Sequence, residues 1–425
     1  METIAAICIL FILIIVGVPI AYSLGAASII YVSLIPTIPN QVMVQRFVRG
    51  ADSFELIAIP MFILAGSMLN ATGATTRLVD FANALVGHFR GGLAQANIVA
   101  SMLFAGMSGS ANADVAGIGR VEIKMMMDQG YDPAYSAAIT ASSSCIGPII
   151  PPSTTFIIYG AIAMVPIGEL LVAGALPGVL MGLLMMVPTY FIAKKRNYPK
   201  MDNFSLQRLI KTTKDSWLIL LAPVIIVGGV LSGVFTATEA GVVALFYALV
   251  IGLFVYRTIT LRGLIEVLRE TVLSMSMVMF LLATGLAFSW VLSAERVPYL
   301  LIEFVAGLTD NPTLMLFFIG VLFILLGMFF SVTTNLIMAV PVLMPLVNEL
   351  GINGVQFGVV CVLGLTIGCV TPPVGAPMYL ACQFANVSIG EFFRANRWYY
   401  LSLLFSFLMV ILFPQISLFL PNLMK

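Results

Sequence analysis

"GMSGSANADVAGIGR", residues 106 to 120, places Ser108, Ser110, Asn112 and Asp114 between two apolar flanks, residues 98–104 before it and Met125, Met126 and Met127 after it. In a soluble protein such a run is an ordinary surface loop. This chain is not soluble in character: of 425 residues 60% are hydrophobic and 9% charged, and the mean hydropathy is +1.08. A soluble domain carries roughly a quarter charged residues. Apolar runs at 4–21, 217–234, 241–256 and 399–418 reach or approach the roughly 20 residues a helix needs to cross a bilayer. The composition predicts an all-α polytopic membrane protein, and the quoted run then lies at membrane depth.

The same reading excludes several classes. Glu2 is the only early charge, so the first apolar segment reads as a span and not as a cleaved signal. A net charge of +1 gives no electrostatic footprint for nucleic acid. Cys8, Cys145, Cys361, Cys369 and Cys382 lie in apolar segments without metal-ligand spacing and read as small hydrophobes in helix packing. The single histidine, His88, cannot form a histidine cluster. No transition metal or organic cofactor is therefore expected. No nucleophile–base pair or nucleotide loop points to an enzyme, and without a P-loop ATP is not the energy source of this chain.

Working outward, the most basic stretch is residues 193–215, with Lys194, Lys195, Arg196, Lys200, Arg208, Lys211 and Lys214. Short basic loops stay on the cytoplasmic side, so 194–214 is expected to be a cytoplasmic connector between halves 1–193 and 215–425. The halves echo one another. Gly106 pairs with Gly327, Gly130 with Gly351, Gly147 with Gly368, and Pro151–Pro152 with Pro372–Pro373, each pair 221 residues apart. The "IGE" at 167–169 returns at 389–391 after one inserted residue. A constant offset across a whole block argues for duplication.

Each half predicts two spans (3–21 and 22–36; 217–234 and 236–256), an amphipathic stretch (41–50; 259–270) and a third span (54–72; 271–293). Two short apolar arms around a polar tip follow, as hairpins 92–127 and 313–349. Then come helices broken by Pro-Pro (132–165 and 353–387) and a last span (168–193; 397–420). Arms of about 16 residues reach about 24 Å at 1.5 Å per residue, marginal for a ~30 Å hydrocarbon core. They read as re-entrant hairpins; the other reading is two short crossings. With re-entrant hairpins each half makes five crossings, about ten in all, and an odd number inverts the second half. The first hairpin, flanked by Arg77, Arg90, Lys124 and Asp128, then opens to the cytoplasm. The second, with Asp310 and Glu349 at its ends, opens outward, and both termini lie outside. Inverted repeats with broken helices at the midplane are the architecture of secondary transporters.

Non-helical backbone at membrane depth is tolerated where protein buries it or it lines a watery cavity. The tips 108–112 and 331–335 and the breaks 146–153 and 367–375 are the candidates. Freed carbonyls at the breaks, with Ser, Thr and Asn oxygens at the tips, suit Na⁺, and one tip plus one break per half suggests two related cation sites. The amide ends of half-helices favour an anionic group beside them. Close helix packing is the competing reading for isolated small polar residues. Asp114 is expected to satisfy amides at a helix start, a proton relay being the alternative; Glu239 in "TATEAG" is expected to be structural.

"LFAGMSGSANADVAGIG", "GPIIPPS", "ALPGVLMG", "TEAG" and "TPPVG" together resemble the large membrane subunit of tripartite ATP-independent periplasmic (TRAP) transporters, over essentially the full chain. The resemblance implies a Na⁺-coupled importer of a small organic anion (a C4-dicarboxylate, sialic acid or another sugar or keto acid) working by an elevator-like movement in the bacterial inner membrane. It also implies a small four-helix membrane subunit and a periplasmic substrate-binding protein as partners. By position it implies cation ligands at Ser108, Ser110, Asn112, Gly147 and Pro148, and at Ser331, Thr334, Asn335, Gly368 and Thr371. Substrate contacts are implied at Ser110, Asn112, Ser153, Thr333 and Thr334. Many members carry an aspartate where this chain has Ser331, which changes the charge count of the second site. The competing functions are a self-sufficient Na⁺/dicarboxylate symporter of related hairpin fold, a channel, and a membrane enzyme.

Overall fold

The structure, a computed structural model, describes residues 2–35, 38–52, 54–201, 203–300 and 311–424. The described residues form helices, turns and bends with no strand. A helix satisfies its backbone internally, which lipid demands of any spanning segment. Six described helices are long and apolar enough to cross a membrane, or up to seven if a pair bent by 73° counts as one span.

An outer frame comes from α1 (Glu2–Ile15), α2 (Ile20–Leu34), α3 (Gln41–Ala51), α4 (Ala58–Ala71) and α5 (Ala74–Val86). The second half adds α13 (Leu206–Leu231), α14 (Ala237–Val250) and α15 (Leu261–Ala294) to that frame. Here α14 lies along α4, and α15 lies against α2, α3 and α4. The inner body begins with α6 (Gly92–Ser108), α7 (Ala111–Asp114), α8 (Arg120–Asp128), α9 (Pro133–Ser144) and α10 (Thr154–Ala163), then α11 (Ile167–Ala173) and α12 (Ala175–Lys195). Its second half is α16 (Pro312–Gly327), α17 (Val332–Glu349), α18 (Gly354–Cys369), α19 (Ala376–Ala385), α20 (Ile389–Leu412) and α21 (Gln415–Asn422).

The halves are units of sequence and not of space. First-half α10 packs on second-half α17, and second-half α19 and α20 pack on first-half α9. Hydrogen bonds cross the divide from Ser142 Oγ to Asn396 Oδ1 at 2.7 Å, from Tyr399 OH to Tyr135 OH at 3.0 Å, and from Tyr159 OH to the Gly354 carbonyl at 2.7 Å. One continuous buried core runs through both sets of helices.

Four expectations change. The stretches expected at 259–270 and 271–293 fall in one 34-residue helix, α15 (Leu261–Ala294), with no boundary near 270; a change from polar to apolar side chains does not interrupt backbone hydrogen bonding. The span expected at 54–72 is followed by a separate helix, α5, because Gly73 adopts a left-handed φ of +76° and turns the chain by 73°. The connector is shorter than 194–214: α12 runs to Lys195 and α13 starts at Leu206, capped by the Ser205 hydroxyl. The last span starts earlier, at Ile389 under a capping box between Ser388 and Glu391, and ends before Pro414. Glu239 is structural, as expected: it closes a capping box with Thr236. Asp310 lies outside the described residues.

Frame and inner body touch through bare backbone at three glycines. A Cβ on Gly66 of α4 would collide with the Met107 carbonyl oxygen, one on Gly106 with the Pro223 ring of α13, and one on Gly285 of α15 with the Ile337 side chain of α17.

Candidate functional site

The first tip follows from a glycine. α6 ends at Ser108, and Gly109 turns the chain with a φ of +58°, where a side chain would also strike the Pro152 carbonyl oxygen. Ser110 is then extended, and its hydroxyl accepts the Ala113 amide at 3.4 Å to start α7. A wide π-turn over residues 115–119 links α7 to α8. The facing break, 145–153, contains Pro148, Pro151 and Pro152, none of which donates an amide bond. Ser153 restarts the helix: its hydroxyl donates to the Pro148 carbonyl at 2.5 Å and accepts the Phe156 amide at 3.2 Å. Tip and break press together. Thr154 Oγ1 donates to the Gly109 carbonyl at 3.4 Å, and a Cβ on Gly147 would lie 3.1 Å from the Ser110 carbonyl carbon.

The second tip repeats the arrangement with different side chains. Ser331 caps α17, accepting the Thr334 amide at 3.2 Å, and its hydroxyl lies 2.8 Å from Thr334 Oγ1. Asn335 Nδ2 donates back to the Phe330 carbonyl at 3.2 Å. In the break after α18, Thr371 bonds to its own helix end, Oγ1 to the Ile367 carbonyl at 2.9 Å and N–H to the Gly368 carbonyl at 2.8 Å. The break is tied to its tip by the Val374 amide, which donates to the Met328 carbonyl at 3.0 Å. Gly368 fits against Gly327, where a Cβ would lie 2.7 Å from the Gly327 Cα.

The two tips, 221 residues apart in sequence, meet. They wall a cavity of about 170 Å³ between Gly109, Ser110, Ala111 and Asn112 on one side and residues 327–333 on the other. The starts of α10 (Thr154, Thr155) and α19 (Ala376, Pro377) complete it with Pro148 and Cys369. No lining residue is charged. The N-termini of three helices, α10, α17 and α19, open on this one space beside the C-terminal ends of α16 and α18 at Gly327 and Cys369, so helix ends of both signs meet there without a charged side chain. A second hollow of about 310 Å³ lies between the first tip and the frame, walled by Ser67 and Asn70 of α4, Ser274 of α15, and Ser108, Ser110 and Thr154.

Of the residues singled out in the sequence, Ser110, Asn112, Pro148, Ser331 and Thr333 line the central cavity, and Ser108 lines the second hollow. Gly147, Thr334, Asn335, Gly368 and Thr371 stand behind the wall, holding tips to breaks. Ser153 is also behind it, because its hydroxyl is engaged in the helix start; the following hydroxyls, Thr154 and Thr155, reach the cavity. Those two were missed, as were Ser67, Asn70 and Ser274 from the frame. The "STT" run was the visible signal for the first pair; the frame residues had none, since only folding brings them to the tip. The Ser108 Oγ is buried without a hydrogen-bond partner, and Ser110 holds only its long capping bond. An orphaned buried oxygen calls for a partner such as a water or an ion, and the neutral oxygens of the first tip fit an oxygen-seeking cation.

Asp114 does not cap the helix; Ser110 does, and Asp114 sits in the first turn without capping it. Its carboxyl is 1% exposed and neither oxygen has a hydrogen-bond partner. The neighbouring Ser101 hydroxyl donates to Ser143 Oγ at 3.0 Å, which in turn donates to Asn97 Oδ1 at 2.9 Å. Glu122 on α8 is buried too, with Oε2 unpartnered.

Comparison with known proteins adds to this geometry. The family model described as "Tripartite ATP-independent periplasmic transporter, DctM component" matches residues 7–416. The chain is 39% identical over 407 residues to the sialic acid TRAP transporter large permease protein of Vibrio cholerae, covering 96% of this chain and 95% of that one. It is 35% identical over 400 residues to the C4-dicarboxylate TRAP transporter large permease protein of Pseudomonas aeruginosa, covering 94% of each. Among solved structures, the YdaH transporter of Alcanivorax borkumensis superposes with a TM-score of 0.64 at 14% identity, over 96% of this chain and 97% of that one. That last likeness is one of fold.

Proposed function

The chain belongs to the tripartite ATP-independent periplasmic transporters as a large permease subunit, and from that premise we propose that it imports a small organic anion across the bacterial inner membrane in symport with Na⁺. The observation that carries the reading is the uncharged cavity where both tips meet under three helix N-termini. Helix dipoles there favour an anion, yet a bare charge at membrane depth is expensive. Cations bound beside it on neutral oxygens lower that expense, which couples the two fluxes.

In this reading Ser108, Ser110, Asn112 and the Gly147–Pro148 break hold one Na⁺. Ser331, Thr334, Asn335 and the Gly368–Thr371 break hold the second. Ser110, Asn112 and Thr333 face the substrate, joined by Thr154 and Thr155. A cavity of about 170 Å³ is below the 300–1,000 Å³ usual for ligand pockets. It suits a compact anion such as a C4-dicarboxylate; a sugar acid would need the neighbouring hollow as well. The small membrane subunit and the periplasmic binding protein are the partners, and the binding protein selects the cargo. Inverted halves and an elevator-like shift of the inner body against the frame complete the proposal. The glycine contacts between the two bodies support that shift.

Replacing external Na⁺ by K⁺ in vesicles holding the whole assembly should abolish uptake, while collapsing a proton gradient should leave most of it. Uptake that follows the proton gradient and ignores Na⁺ would refute the coupling. The inversion has its own test. A cysteine at Asn311 is expected to react with an impermeant maleimide from outside and one at Gly91 only from the cytoplasm. Cys8 is the exposed native cysteine and is removed first. Labelling of both sites from one side would contradict inverted halves.

A further inference from the structure

We propose that the groove between α12 and α20 is a binding site for an anionic diacyl phospholipid of the leaflet on the side of the basic connector. The groove has a volume of about 700 Å³. It forms where α12 and α20 lie side by side, joined through Thr189 Oγ1 and Tyr399 OH at 3.0 Å. Its walls are large and apolar, with Val187 and Phe191 from α12 and Leu401 and Phe405 from α20, all at least half exposed.

At one end the character changes. Lys195, at the last turn of α12, and Arg397, in the third turn of α20, both line the groove and are exposed. Neither forms an ion pair with a carboxylate among the described residues. The Arg397 guanidinium sits 5.5 Å from the Trp398 ring centre, which holds it at the rim.

The dimensions choose the occupant. From Leu184 to Lys195 the groove follows α12 for about 16 Å at 1.5 Å per residue, close to one leaflet of a ~30 Å hydrocarbon core. One acyl chain fills that length and brings its phosphate to the two cations. A partner helix would need several small residues for close approach, and of the groove's lining only Ser402 is small. Basic pockets between helices at a membrane face recognise anionic headgroups in this way.

Native mass spectrometry of the purified full-length chain, titrated with phosphatidylglycerol or phosphatidylcholine, tests the site. Phosphatidylglycerol is expected to bind preferentially, and the double variant Lys195→Gln/Arg397→Gln to bind it about thirtyfold more weakly, from two lost cation–headgroup interactions. Lys195→Arg/Arg397→Lys, which keeps both charges, should retain it. Both positions are exposed, so the variants are expected to fold, and their thermal midpoints serve as the check. Equal binding of the two lipids, or unchanged preference in the Gln variant, overturns the proposal. So does protection of a Phe191→Cys thiol by a copurifying membrane subunit in place of lipid.

Discussion

Reconstituted alone into liposomes with an inward Na⁺ gradient, the chain is expected to accumulate no more organic anion than protein-free vesicles. Among the described residues the connections between helices are short, and none builds a separate unit that could capture a dilute solute. The central cavity is small and offers an anion only hydroxyls, an amide and helix ends. Such a site is suited to receiving a ligand that another protein has already concentrated. Adding the small membrane subunit and the loaded binding protein should therefore switch transport from background to a measurable rate, the largest change expected for this molecule. Robust uptake by the chain alone, measured with radiolabelled succinate and N-acetylneuraminate, would instead favour a self-sufficient symporter.

Removing one hydroxyl at each tip should weaken Na⁺ dependence strongly. For Ser110→Ala and Thr334→Ala, each in the reconstituted assembly, a lost contact to a charge is worth roughly 1.5–3 kcal/mol. That is about ten- to a hundredfold in the Na⁺ concentration giving half-maximal uptake. Ser110 also caps a helix, and losing a cap costs about 1 kcal/mol of stability, so the thermal midpoint must be recorded beside the Na⁺ curve. A fall in midpoint with an unmoved Na⁺ curve in both variants would leave only the structural role. Ser331→Asp asks the related question with the opposite sign: a carboxylate at the mouth of the second tip should lower the Na⁺ requirement. Ser331 lines the cavity 2.8 Å from Thr334 Oγ1, so the new charge would lie beside the proposed ligand.

The breaks and tips were legible because proline and glycine act locally. The prolines at 148, 151 and 152 and the pair Pro372–Pro373 interrupt their helices, and α10 and α19 start just after them. Boundaries read from polarity fared worse. Between 259 and 293 the side chains change from polar to apolar, but no residue breaks the backbone, and α15 runs through. Gly73 was the opposite case, a breaker inside a region whose hydropathy gave no reason to divide it. Orientation of side chains was less legible still. In "PPSTT" three hydroxyls are equivalent on paper, and only the Ser153 bond to the Pro148 carbonyl decides that Thr154 and Thr155 reach the cavity. The Asp114 carboxyl was misread for a similar reason, since Ser110 and Asp114 both suit a helix start and the turn at Gly109 gave the place to Ser110. That the tips face each other could not be read at all, because nothing local couples residue 110 to residue 331.

Gly66, Gly106 and Gly285 lie inside helices, where alanine would be about 1 kcal/mol more favourable to the local chain. Their own helices would gain from losing them; the neighbouring body is what keeps them. Interlocked side chains resist sliding, because each knob must climb out of its hole before the next hole is reached. The Gly66 contact has no such knob, since backbone meets the Met107 carbonyl there, while Gly106 and Gly285 receive the Pro223 ring and the Ile337 side chain. A methyl group at any of the three would push the two bodies apart, so their spacing is set by atoms these residues lack.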